Sequence, residues 1–193
     1  MTQDTPEPSE SAEHAEAPTP GEEVERRAPR WRRWLIDLVL VVAIIGGVRW
    51  WQQRGVIEGQ APALRAAGIT GEPLQLAGAS EATLVHFWAS WCGVCKAMDH
   101  NVVGVAEDRR VITVAVQSGG PAEVEAFMRE EGLWQGERPA FDVVADPSGA
   151  LAQQWGVTSF PTSFVVDPDG RIRSTEVGYT TELGLRARLS LAD

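Results

Sequence analysis

Large apolar side chains are nearly absent from residues 1–25, run almost unbroken from Trp34 through Val48 with only Asp37 between them, and recur in short periodic groups from residue 83 onward. The last region alternates between two periods. Thr83–Trp88 (TLVHFW) and Val111–Val116 (VITVAV) are short runs of β-branched and apolar residues, which predicts buried strands. Between them, the stretch from Cys95 to about Asp108 reads as a helix. Pro121–Glu131 (PAEVEAFMREE) has proline in its first turn and Val124, Phe127 and Met128 on one helical face, so a second helix is expected there. A strand at Phe141–Val144, a short helix at Ala150–Trp155, strands at Ser163–Val166 and Arg171–Val177, and a helix from Thr181 to about Leu191 complete the pattern. Asp146-Pro-Ser-Gly149 and Asp167-Pro-Asp-Gly170 carry Pro and Gly where type I turns favour them, and the second can close an antiparallel hairpin. Both lack the longer acidic loop and terminal Glu of a calcium site. Strand, helix, strand, helix predicts an α/β domain on one sheet with right-handed crossovers.

The first 51 residues read differently. Residues 1–25 hold eight acidic side chains, no Lys or Arg, and prolines at 6, 8, 18 and 20. Such a segment has no core to bury and is expected to stay disordered. Arg26, Arg27, Arg30, Arg32 and Arg33 follow, and then the apolar run. As a helix, Trp34–Trp51 would span about 27 Å at about 1.5 Å per residue, close to a hydrocarbon core of about 30 Å. Trp31 and Trp34 at one end and Trp50 and Trp51 at the other suit the two interfaces, with Arg49 near enough to the end to snorkel. Arg33 precedes Asp37 by four residues and offers it a partner on the same helical face near the headgroups. Five arginines before the span against Arg49 and Arg54 after it place the N-terminus inside. The expectation is a disordered tail and basic cytoplasmic flank over 1–33, a transmembrane helix over 34–51 in the inner membrane, and a periplasmic or extracellular domain over 52–193. A cleaved signal peptide, of twin-arginine type at Arg32-Arg33-Trp34-Leu35, is the alternative, although no small-x-small cleavage site follows the run.

Composition narrows the function. The formal net charge of −10 leaves no excess of basic surface for phosphate, so nucleic acid is not an expected partner. The chain has two cysteines, Cys92 and Cys95, too few and too close for a disulfide framework. A Cys-x-x-Cys where a strand turns into a helix puts the first sulfur among unpaired N–H groups at the positive end of the helix, which favours thiolate. Cys95, one turn on, faces the same side and can resolve a mixed disulfide formed on Cys92. The other chemistry open to the pair is Cu(I) or zinc binding, with His86, His100, Met98 or Met128 to complete the ligand set.

Residues Leu84 to Lys96 (LVHFWASWCGVCK) resemble the active-site strand and helix start of thioredoxins, and Gly156 to Asp167 (GVTSFPTSFVVD) resemble their cis-proline strand. With the N-terminal anchor and a central insertion, the chain resembles the membrane-anchored, thioredoxin-like TlpA, ResA and DsbE group, most nearly the ScsD type, over about residues 60 to 190. The resemblance implies a thioredoxin-like fold, a central mixed sheet flanked by helices. It makes Cys92 the nucleophile, Cys95 the resolving cysteine, together the redox disulfide, and Pro161 a cis-proline beside them. A cis bond costs only about 0.5–1 kcal/mol before proline and leaves the preceding backbone free to pair with an extended substrate; an ordinary trans proline opening a strand is the alternative. Phe160 and Thr162, flanking Pro161, are the candidate substrate-binding residues, and Trp91 is a flat apolar cover for docking partners.

Three positions depart from the pattern. His86 stands where thioredoxins keep a buried aspartate, and is either a proton acceptor for Cys95 or a hydrogen-bonded core residue. His100 stands where the active-site helix normally carries a kinking proline. Gly93-Val94 is neither the dipeptide of reducing thioredoxins nor that of strong oxidants, so the direction of electron flow stays open. Trp88, Trp134 and Trp155 are expected in the core and Lys96 in solvent. The reading is a membrane-tethered thiol-disulfide oxidoreductase acting on protein disulfides and dithiols, supplied by a membrane thiol-reducing electron donor, without cofactor or resident metal. A Cu(I) chaperone using both cysteines and a tethered redox sensor are the rivals.

Overall fold

The computed structural model describes residues 30–53 and 59–193. Residues 1–29 lie outside them, and with them the tail over 1–25 that is expected to be disordered; the side chains of 30–33 lie outside too, with the expected Arg33–Asp37 pairing. Helix α1 (Arg30–Gln53) is 24 residues long, about 36 Å at about 1.5 Å per residue. Its described apolar side chains are all exposed, from Trp34 to Ile44, with no single apolar face. Among the described residues no helix is long and apolar enough to cross a membrane; the side chains of Ile45 and of 48–53 are not in that set.

The remaining elements form one layered unit. In chain order they are β1 (Gly59–Gln60), β2 (Arg65–Ala67), β3 (Pro73–Gln75), β4 (Thr83–Trp88), α2 (Gly93–Ala106), β5 (Val111–Val116), α3 (Pro121–Glu130), β6 (Trp134–Gln135), β7 (Arg138–Pro139), β8 (Asp142–Asp146), α4 (Ala150–Gln154), β9 (Thr162–Val166), β10 (Arg171–Val177) and α5 (Glu182–Ala192). Six strands make a mixed sheet in the order β1-β10-β9-β4-β5-β8. β4, β5 and β8 are parallel and joined by α2 and α3; β9, β10 and β1 add antiparallel pairs beyond β4.

The expected elements from 83 onward are all present, with ends moved by one or two residues. The Asp167–Gly170 turn closes the β9–β10 hairpin through Gly170 N–H to Asp167 O (2.9 Å), with Gly170 in the left-handed region at φ 79°. Strands β1, β2, β3, β6 and β7 were not expected. Each is two or three residues long, too short to show an alternation.

Alternate residues of the central strands enter two cores. Leu84, Trp88, Val111, Ala115 and Val165 pack with α2, α3 and α5 on one face; Val85, Phe87, Ile112, Val114 and Phe164 pack with Trp155 and the β2–β3 hairpin on the other. Trp155 is fully buried, its ring 5.5 Å from Phe87 and 5.0 Å from Phe164. Trp88 is buried against Phe127 at 5.5 Å, and half-buried Trp134 lies under the Arg129 guanidinium at 4.0 Å. The structure thus puts Trp88 and Trp155 in the core, with Trp134 at its edge. Helix α2 runs through the exposed His100 without interruption. Lys96 is exposed as expected, and its ammonium pairs with Glu131 at the surface, 5.1 Å from the Phe127 ring.

Candidate active site

Strand β4 ends at Trp88, and the chain turns through Ala89–Trp91 into α2. Cys92 is the N-cap residue of α2, in extended conformation, and its sulfur accepts the Cys95 N–H at 3.2 Å. Its carbonyl takes the N–H groups of Cys95 (3.1 Å) and Lys96 (3.2 Å). Negative charge developing on this sulfur therefore meets first-turn N–H groups and the positive end of the helix. A disulfide joins Cys92 to Cys95, with Cα atoms 5.3 Å apart. Cys92 is 9% exposed and Cys95 1%, so an incoming sulfur has better access to Cys92.

Four other expected residues gather around the pair. Trp91 is 61% exposed, donates its indole N–H to the Gln117 carbonyl at 3.3 Å and meets the Phe160 ring edge to face at 5.7 Å. The Phe160–Pro161 peptide is cis, in place of the ordinary trans alternative. The Pro161 carbonyl accepts the Gly178 N–H at 2.8 Å, and among the described residues the Phe160 N–H and C=O meet no backbone partner. Thr162 turns its hydroxyl to the Ser159 carbonyl at 2.7 Å, is buried, and sits inside the sheet in register with Phe87 of β4 and Val177 of β10.

His86 lies mid-strand on β4, in register with Thr113 on one side and Ser163 on the other. Its neighbours Leu84 and Trp88 belong to the core that contains both cysteines, so His86 points to the same face of the sheet. The ring is 2% exposed, Nδ1 is 2.9 Å from Ser163 Oγ, and among the described residues Nε2 has no partner. Burial pulls its pKa down from 6.5 to about 4, so the imidazole is neutral at pH 7.

The residues that pattern reading missed are Asp99, Gln117, Ser118 and Ser163. Asp99 lies one turn beyond Cys95 on α2 and is buried. Burial first and the Glu131 carboxylate second raise its pKa from 3.8 to about 7, against the pull of Lys96. Four-residue spacing from Cys95 was the available signal. The others are brought in by strands far away in sequence. Among the described residues no group of three or more His, Cys, Asp or Glu side chains is placed to hold a metal ion.

A disulfide capping a helix at the end of a central parallel strand, with a cis-proline at the start of the neighbouring antiparallel one, defines the thioredoxin-like thiol-disulfide oxidoreductases. The chain belongs to the AhpC/TSA family, whose model matches residues 57–175. It is 35% identical over 99 residues to the thiol:disulfide interchange protein HelX of Rhodobacter capsulatus; the match covers 51% of this chain and only 53% of HelX. Sporulation thiol-disulfide oxidoreductase A of Bacillus subtilis is 25% identical over 155 residues, covering 75% of this chain and 90% of that protein. The crystal structure of StoA from Bacillus subtilis matches with a TM-score of 0.55 at 25% identity, over 66% of this chain and 96% of that one.

Proposed function

We propose that this chain is a membrane-tethered oxidoreductase that reduces disulfides of extracytoplasmic proteins, within its family nearest the ScsD type. The observation that carries the redox part is the Cys92–Cys95 disulfide at the head of α2 beside the cis Phe160–Pro161 peptide. In the reduced form the Cys92 thiolate attacks one sulfur of a substrate disulfide; that S–S bond breaks and the leaving substrate thiolate takes a proton. Cys95 then loses its proton, its thiolate attacks the Cys92 sulfur, and the second substrate thiolate departs. Two electrons pass to the substrate and the Cys92–Cys95 disulfide forms. A membrane thiol reductant returns two electrons to close the cycle. His86, neutral and on the same face as the pair, is the proton acceptor for Cys95 in this reading. Free backbone groups at Phe160 pair with an extended substrate segment, and Trp91 covers the approach to Cys92.

The tether rests on the arginine asymmetry about residues 34–51, the apolar run and the 24-residue length of α1. In this reading the N-terminus is cytoplasmic and the domain lies in the periplasm or outside the cell. The test is capture in intact cells with Cys95→Ser, which stops the reaction after the first attack. Mixed disulfides to extracytoplasmic proteins are expected. Stoichiometric Cu(I) retention by the native chain with no disulfide turnover would replace this reading with a copper chaperone.

A further inference from the structure

Gln117 is the one non-glycine residue with positive φ among those described, at +48°. Side chains other than glycine or asparagine seldom enter this left-handed region, and outliers of this kind gather at functional sites. Gln117 follows β5 directly, and its backbone is used on both sides. Its N–H donates to the Asp146 carbonyl at 2.9 Å, and its own carbonyl accepts the Trp91 indole N–H at 3.3 Å. The next residue ties the same loop again: Ser118 Oγ accepts the Ser90 N–H at 2.9 Å and donates to the Val116 carbonyl at 3.0 Å. Residues 117–118 thus hold Ser90 and Trp91, the two positions immediately before Cys92. Trp91 in turn stands edge-on to Phe160 at 5.7 Å. Phe160 also lines a cleft of about 450 Å³, with Val116, Gln117, Val157 and Thr158 in its wall. An extended β conformation at residue 117 would turn the carbonyl away from the indole and leave an exposed ring without its hydrogen bond.

We propose that Gln117 is a positioning residue whose left-handed backbone fixes Trp91 against Phe160, so that selectivity for polypeptide disulfides over small ones depends on residue 117. This rests on the oxidoreductase reading above. A polypeptide contacts the Trp91–Phe160 wall on its way to Cys92, whereas a small disulfide reaches the sulfur without it. Gln117→Val opposes the left-handed backbone through its branched Cβ; Gln117→Asn tolerates it.

Two measurements on the full chain decide the matter. The first follows the Trp91 indole N–H resonance of the oxidised protein, assigned by its absence in Trp91→Phe. Gln117→Val should shift it toward the solvent-exposed value and speed its exchange at least tenfold, while Gln117→Asn leaves it in place. The second compares reduction of insulin with reduction of 5,5′-dithiobis(2-nitrobenzoic acid). Gln117→Val should lower the insulin-to-small-disulfide ratio at least fivefold, through KM, with Gln117→Asn within twofold of the native ratio. Replacement of Trp91 by 3-benzothienylalanine, which keeps a bicyclic aromatic ring of the same shape and removes the N–H donor, should reproduce that fall if Gln117→Val folds poorly. An unmoved indole resonance in Gln117→Val overturns the positioning role, and equal loss against both disulfides overturns the selectivity. Failure of the native chain to reduce either disulfide overturns the oxidoreductase reading and the selectivity with it, and the resonance still decides whether Gln117 positions Trp91.

Discussion

Cys92 caps a helix with 9% of its surface exposed, whereas Cys95 is closed off one turn deeper at 1%. Alkylation of the reduced protein should therefore modify Cys92 first, with mass mapping of the labelled peptide as the check. Cys92→Ser should abolish exchange, while Cys95→Ser should retain the first attack and accumulate mixed disulfides. His86 carries a second prediction, because its pKa is depressed from 6.5 to about 4. An unfolded chain binds this proton below pH 6.5 and the folded one only near pH 4, so stability from His86 is complete above 6.5 and lost as pH falls through that window. The loss is on the order of 3 kcal/mol. Asp99 works in the opposite sense: raised from 3.8 to about 7, it is protonated in the folded chain where the unfolded one is ionised, and stability falls as pH rises between those values. Urea titrations between pH 4 and 8 should show Asp99→Asn gaining relative stability with rising pH and His86→Ala losing the acid-side dependence. His86→Ala should also cost about 1–3 kcal/mol through lost packing and an orphaned Ser163 hydroxyl. In stopped-flow kinetics, a severalfold slower resolving step with an unchanged first attack marks His86 as the proton acceptor; two unchanged rates leave it a core residue.

Elements were legible where their period runs long enough to count. Six residues of VITVAV or eleven of PAEVEAFMREE carry a signal, and β5 and α3 formed there. The two- and three-residue strands carry none: β1 forms where the chain passes beside β10, whereas β2 pairs only with β3 and β6 only with β7, outside the main sheet. Helix ends were set by caps. Thr181 accepts the Gly184 N–H at 3.2 Å and starts α5, the helix that packs along α2 through Leu185 and Leu189. Thr181→Ala should lower stability by about 1 kcal/mol in urea denaturation, with no change in exchange rate, since α5 contributes no residue to the site. A larger loss would mean that α5 docking itself depends on this cap.

For the whole molecule, topology and redox poise are the quantities to measure. A membrane-impermeant thiol reagent should label reduced Cys92 from the outside of spheroplasts and fail to do so in vesicles with the cytoplasmic side out. Labelling in those vesicles would reverse the orientation. The helix-end stabilisation of the Cys92 thiolate raises the reduction potential, and a loop without a histidine between the cysteines limits the rise. Equilibration with glutathione buffers should place the potential between about −270 and about −120 mV. What the amino-acid sequence determined by itself was local: the strand and helix periods from residue 83, the Cys-x-x-Cys at a strand-to-helix turn, and the Pro161 strand, each written within about a dozen residues. What the tertiary structure decided was which distant residues meet. Ser163 reaches His86 across 77 positions and Gln117 reaches Trp91 across 26, because β9 and β5 flank β4 in the sheet. Burial of His86 and Asp99, and with it their displaced pKa values, follows from the same packing, which periodicity along a single strand or helix does not encode.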